Sequence, residues 1–98
     1  MPKDLPRLSA KEMNVLSQLI QRKKYGLELV AGSNGLLARN AIYVLLGRME
    51  DKALIEGHEE DAPPGSMGPP RRVYKATGHG ARALHAYEAA FAAMRGAR

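Results

Sequence analysis

An α+β fold, mainly α, follows from three features of this 98-residue sequence. Residues 9–53 hold three segments with helical apolar spacing. Two strand-like segments flank a loop of four prolines and two glycines at 62–70. An alanine-rich segment with helical spacing comes last. At 45% hydrophobic and 26% charged residues, the chain is too apolar for disorder and sized for one domain.

Residues 1–8 carry two prolines and read as an extended arm. Ser9 and Glu12 have capping-box spacing, so a first helix is expected from Ser9 to about Lys23. Met13, Leu16, Leu19 and Ile20 supply its apolar face. Tyr25-Gly26 punctuates the chain. Leu27, Val30 and Ala31 suggest a short second helix ending near Gly32, before the turn residues Ser33-Asn34-Gly35. Residues 38–53 read as a third helix, with Ile42, Leu45, Leu46 and Met49 on one face and Ala53 extending it. Asn40, Tyr43, Val44, Gly47 and Asp51 fall on the other face. Gly47 costs roughly 1 kcal/mol relative to Ala inside a helix. It implies tight packing or close approach of a partner.

Residues 54–60 read as a strand, and so do Arg71 to Ala76; the loop between them makes a long-tipped hairpin. Val73 and Lys75 fall on one side of the second strand, and Arg72, Tyr74 and Ala76 on the other. Thr77 is a plausible N-cap for the final helix, residues 77–98. Leu84, Tyr87, Phe91 and Met94 recur along it at intervals of three, four and three. This stripe either folds back on the chain's own core or pairs with a second subunit, and dimerisation is the expectation. Three helices followed by a hairpin is the layout of a winged helix-turn-helix over residues 9–76. The third helix would enter the major groove and the hairpin would be the wing.

The charge agrees with a nucleic-acid partner. The net charge is +5 and the pI about 9.8. Basic clusters fall at Arg22-Lys23-Lys24 and at Arg71, Arg72 and Lys75. Between them lie Glu50, Asp51, Glu56, Glu59, Glu60 and Asp61 against Lys52, a sum of −5. One reading is a basic face for phosphates, with the acidic element directed away from it. The other is solvated surface charge. With no cysteine there is no disulfide framework, thiolate metal site or cysteine nucleophile. His58, His79 and His85 lack metal-ligand spacing, and no phosphate-binding glycine loop or activated nucleophile appears. An enzyme and a cofactor are therefore not expected. The apolar runs are far shorter than the roughly 20 residues of a membrane span. No signal-peptide pattern opens the chain, so a cytoplasmic location is the expectation.

Several blocks, in order, resemble the PadR-type transcriptional regulators. They are Leu8-Ser9-Ala10-Lys11-Glu12 with Val15-Leu16, and Tyr25-Gly26-Leu27-Glu28-Leu29. Next come Ile42-Tyr43-Val44-Leu45-Leu46, Arg48-Met49-Glu50 and Ala53-Leu54-Ile55. Last are Gly68, Pro70-Arg71-Arg72-Val73-Tyr74, Thr77 and Gly80. The resemblance implies a dimeric repressor on a pseudo-palindromic operator, with recognition helices in successive major grooves and wings along the backbone. It also implies a dimer interface made largely by C-terminal helices. Three places depart from the family pattern. Residues 39–42 lack its usual glycine-threonine pair, Gly47 replaces a larger residue, and the last helix is short.

Arg39 and Asn40 would stand at the start of the third helix, where Arg pairs with guanine and Asn with adenine. A capping or solvated Asn40 is the alternative. Tyr43 would reach a phosphate or base edge, and Gly47 would admit the DNA backbone or be inert. Arg71 and Arg72 open the second wing strand and suit phosphates, but adjacent strand residues face opposite ways. Lys75 reads as solvated, and Arg22, Lys23 and Lys24 equally suit the helix dipole. Tyr25 is expected in the helix junction and Tyr74 in the core, while Glu50 carries only a structural pairing. Leu84, Tyr87, Phe91 and Met94 are the candidate dimer contacts. Two other readings stay open. One is a protein-interaction adaptor using residues 56–61 and the proline loop. The other is a sensor with a small-molecule pocket between C-terminal helices, its effector unknown.

Overall fold

A computed structural model describes residues 7–61, 65 and 71–96. The elements are α1 (Ala10–Gln21), β1 (Lys24–Tyr25), α2 (Gly26–Ala31), α3 (Ile42–Asp51), β2 (Ile55–Glu60), β3 (Arg71–Ala76) and α4 (Gly78–Gly96). Most of the expected arm and of the proline loop lies outside the described residues.

The capping box of α1 forms as the spacing predicts. Glu12 N–H donates to Ser9 Oγ at 3.2 Å, and Ser9 N–H to Glu12 Oε1 at 2.9 Å. The helix ends at Gln21 rather than Lys23, because Arg22 is already extended. The chain then pairs with β3, Lys24 opposite Tyr74 and Tyr25 opposite Val73. This strand was not foreseen, since two residues carry no alternation to read. Val15, Leu16 and Leu19 enter the core, whereas Ile20 is 41% exposed.

The expected start of α3 at residue 38 is corrected to Ile42. Ser33 is buried and holds the preceding turn. Its hydroxyl donates to Val30 O and accepts from Leu37 N–H. Leu36 N–H bonds Ser33 O and Ala41 N–H bonds Ala38 O, so residues 33–41 follow successive turns. Ala41, the N-cap, offers no side-chain acceptor. Asn34 and Gly35 have positive φ, at 53° and 85°, as turn residues do.

Ile42, Leu46 and Met49 are buried, confirming the apolar face of α3. Ala53 does not extend it. It is exposed at φ 60°, in the left-handed position that ends a helix. Ala53 N–H bonds Glu50 O at 2.9 Å, and Leu54 N–H bonds Met49 O at 3.0 Å. This pair is the Schellman pattern, here closed by alanine instead of the usual glycine.

The sheet order is β1-β3-β2, all antiparallel, with β3 in the middle. Ile55 stands opposite Ala76 and Glu60 opposite Arg71. Ile55, Tyr74 and Ala76 share the face packed on the helices. Thr77 caps α4, since Gly80 N–H donates to its hydroxyl at 2.9 Å. The same hydroxyl donates back to Ala53 O at 2.6 Å. Gly80 is buried against Leu54, and a Cβ there would overlap the Leu54 carbonyl oxygen.

The stripe on α4 divides. Ala83 and Leu84 are buried in the chain's own core. Tyr87 packs against that core, and its hydroxyl accepts the Leu8 N–H at 3.0 Å. Leu84 and Tyr87 were expected at a dimer interface, and the packing of α4 on α1 instead gives them partners within the chain. Phe91 and Met94 remain 48% and 73% exposed.

Glu12 also fastens α1 to the end of α3, with Lys52 Nζ 2.7 Å from Glu12 Oε2. Burial pushes the Glu12 carboxyl up. Hydrogen bonds from Lys52 and the Ser9 backbone outweigh it and hold the group below its ordinary 4.5. A carboxyl depressed by folding stabilises above its unfolded pKa, and the contribution is lost as pH falls through the folded value. Glu12→Gln should therefore lower the melting temperature at neutral pH and narrow its gap to wild type as pH drops below about 4, as measured by thermal melts across pH. Gly80→Ala should destabilise by about 1–3 kcal/mol in denaturant titration, because backbone is what the new methyl meets.

Candidate nucleic-acid interface

The outer face of α3 makes little use of its side chains within the chain. Tyr43 is 54% and Val44 59% exposed. Arg48 and Asp51 are also exposed, as are Arg39, Asn40 and Ala41 in the turn before the helix. Arg39 and Asn40 thus belong to the approach to α3, not to its first turn. Asn40, Ala41, Val44 and Arg48 border an open depression of about 360 Å³, closed on the far side by Lys11 of α1.

Tyr43 is positioned by a glycine. A Cβ on Gly26 would stand 2.8 Å from Cε1 of the Tyr43 ring, so the ring lies in the space that glycine leaves open. This accounts for Gly26 beginning α2. Gly47 is different, for nothing lies within 4 Å of a Cβ built there. Tight packing within the chain is therefore not its reason.

Most other charges are matched internally. Arg22 pairs with Glu28 at 3.4 Å, Lys23 with Glu60 at 3.2 Å, and Lys75 with Glu56 at 3.2 Å. Lys24 Nζ donates to Gln18 Oε1 at 2.9 Å. The acidic stretch is not directed away from the basic clusters. Strand pairing sets Glu56, Glu59 and Glu60 opposite Lys75, Arg72 and Arg71. By contrast, Lys11, Arg39 and Arg48 make no ion pair among the described residues.

The wing arginines separate as adjacent strand residues must. Arg72 Nη2 donates to Glu50 Oε2 at 2.8 Å, and its guanidinium lies 5.7 Å from the Tyr74 ring centre. It fastens the wing to α3. Arg71 lies over the Tyr25 ring at 5.4 Å on the outer face. Tyr25 is on that face too, rather than in the helix junction, and its hydroxyl donates to Glu60 at 2.7 Å. The Glu60 carboxylate raises the Tyr25 pKa, and hydrogen bonds from Tyr25 and Lys23 lower that of Glu60. Tyr74 is buried, as expected.

The structure thus gathers Asn40 with Lys11, Val44 and Arg48, which the sequence did not single out. Arg48 stands one turn beyond Val44, so helical spacing could have marked it, whereas Lys11 lies inside the first capping box and carries no such signal. Among the described residues no His, Asp or Glu cluster could hold a metal, and no helix is long and apolar enough to cross a membrane.

A family model, the transcriptional regulator PadR-like family, matches residues 15–86. No curated protein matches the chain significantly. Solved structures do. A PadR family transcription regulator from hypervirulent Clostridium difficile is 24% identical, with TM-score 0.72, covering 89% of this chain and 92% of that one. A PadR family regulator from Eggerthella lenta is 32% identical, with TM-score 0.63, covering 84% and 68%. Bacillus subtilis PadR in complex with operator DNA is 16% identical, with TM-score 0.69, covering 84% and 48%.

Gly47→Ala should raise stability by about 1 kcal/mol, since the helix gains propensity and the methyl meets open space. A lower melting temperature would show that the space is filled.

Proposed function

This chain belongs to the PadR-like family of transcriptional regulators, and we propose that it is a dimeric repressor reading duplex operator DNA. One observation carries this reading. The depression on the exposed face of α3 is bordered by Lys11 and Arg48, and Arg39 is exposed in the turn before the helix, cations without acidic partners among the described residues, whereas Lys23, Arg72 and Lys75 at the wing are paired with acids. Cations released from internal pairing are available to phosphates, and the helix between them offers side chains to base edges. The operator complex of Bacillus subtilis PadR, a protein of similar fold, agrees with this.

In this reading α3 occupies the major groove, with Asn40 and Tyr43 on base edges or phosphates. Arg71 meets the backbone from the wing. Arg72 has a different task, holding the wing against Glu50 of α3. Residues 9–76 form the reading unit, and the first turns of α4 are fastened to it. The dimer contact falls to the exposed end of α4, where Phe91 and Met94 stand among alanines. An adaptor using the acidic segment is less well supported, because Glu50, Glu56 and Glu60 are drawn into pairs with Arg72, Lys75 and Lys23.

The test is selection from a random duplex pool at near-physiological salt, followed by sequencing of the bound fraction. The expected product is an inverted repeat with half-sites about one helical turn apart. Retention without an enriched sequence, or no retention, would overturn the reading.

A further inference from the structure

Val44 is the most exposed large apolar residue of α3, at 59%. A β-branched residue on a solvated helix face gains nothing from its position. It loses helix propensity and leaves its methyls in water. Its surroundings make it a protrusion. One turn back stands Ala41 and three residues on stands Gly47, neither with a side chain beyond Cβ. Around Gly47 the space is open. At four residues on either side stand Asn40 and Arg48, which with Lys11 border the same depression. A stiff apolar knob is thus flanked by two gaps along the helix and rimmed by cations and an amide.

We propose that Val44 reads thymine, its methyl groups packing on the base's 5-methyl in the major groove. Thymine is the base that presents an apolar group on that edge. Ala41 and Gly47 leave room for the base pair to come against the knob. Lys11 and Arg48, without acidic partners among the described residues, hold the flanking phosphates by charge complementarity. The occupant of this face is therefore duplex DNA with a thymine beneath Val44 in each half-site. This rests on α3 being the operator-reading helix.

The probe is a synthetic duplex carrying the inverted repeat enriched by selection, with each thymine replaced singly by deoxyuridine. That replacement keeps the base pair and removes only the 5-methyl. Wild-type protein should lose affinity about fourfold at one thymine of a half-site, the size of burying one methyl. Val44→Ala should bind the thymine duplex more weakly by a similar factor. It should no longer distinguish thymine from uracil at that position, and should still do so at any other sensitive one. Arg48→Ala should weaken both duplexes alike. Because Val44 is exposed and Ala favours the helix, the variant should melt at or slightly above the wild-type temperature. Val44→Thr keeps the branched shape and serves as a second variant, expected to retain part of the discrimination. Equal binding of thymine and uracil duplexes by wild type at every position, or Val44→Ala still discriminating at every position where wild type does, would overturn the assignment and leave the operator reading intact. A selection that enriches no sequence would overturn both.

Discussion

Leu54 is where the fold is joined. Its N–H closes the end of α3 on Met49, and its carbonyl accepts from Thr77 at the start of α4. The Thr77 hydroxyl adds bonds to the carbonyls of Ala53 and Leu54. Gly80 comes down directly on the same carbonyl. One residue earlier than Ala53, Lys52 reaches back to Glu12 at the start of α1. One residue beyond Leu54, Ile55 begins the wing. The direction of α3, the root of the wing and the departure of α4 are therefore fixed at one turn. Backbone groups leave no freedom there, and the threonine and glycine are dictated by that joint.

Charge is organised by strand register. The acidic stretch looked in one dimension like a block opposed to two basic clusters. Folding interleaves them, because β2 runs antiparallel to β3 and the Lys23 side chain reaches Glu60 at its end. Exposed pairs of this kind contribute little stability each. Their effect is on what is left over. After matching, the unpaired cations at α3 are Lys11, Arg39 and Arg48, which come from different segments and form no run in the sequence.

Those contrasts explain what could be read from the residues alone. The strand Arg71–Ala76, the capping box and the Thr77 cap rest on local patterns, and each is where the spacing put it, as are the helical faces of α1 and α3 apart from Ile20 and Ala53. The missed strand β1 is two residues long, and its existence depends on β3, some fifty positions away. The late start of α3 goes with the turns held by the Ser33 hydroxyl, whose partners Val30 O and Leu37 N–H are local but leave no apolar periodicity to read. Leu84 and Phe91 are indistinguishable in pattern. Only the reach of α1 decides that one is buried and the other exposed. At the interface Asn40 and Tyr43 were legible as polar positions opposite an apolar face. Lys11 was not, because nothing local relates α1 to α3.

The placement of β1 gives the wing a fulcrum. Strand β3 is bonded along both edges only at Val73 and Tyr74, and toward Arg71 it continues as a two-stranded ribbon with β2. The ribbon is thus a cantilever clamped at Tyr25, the residue immediately before α2. The Tyr25–Glu60 bond ties the end of β2 to the residue that leads into the first turn of α2. That turn cradles the Tyr43 ring on α3. The wing and the outer face of α3 therefore share one support, at Tyr25 and Gly26.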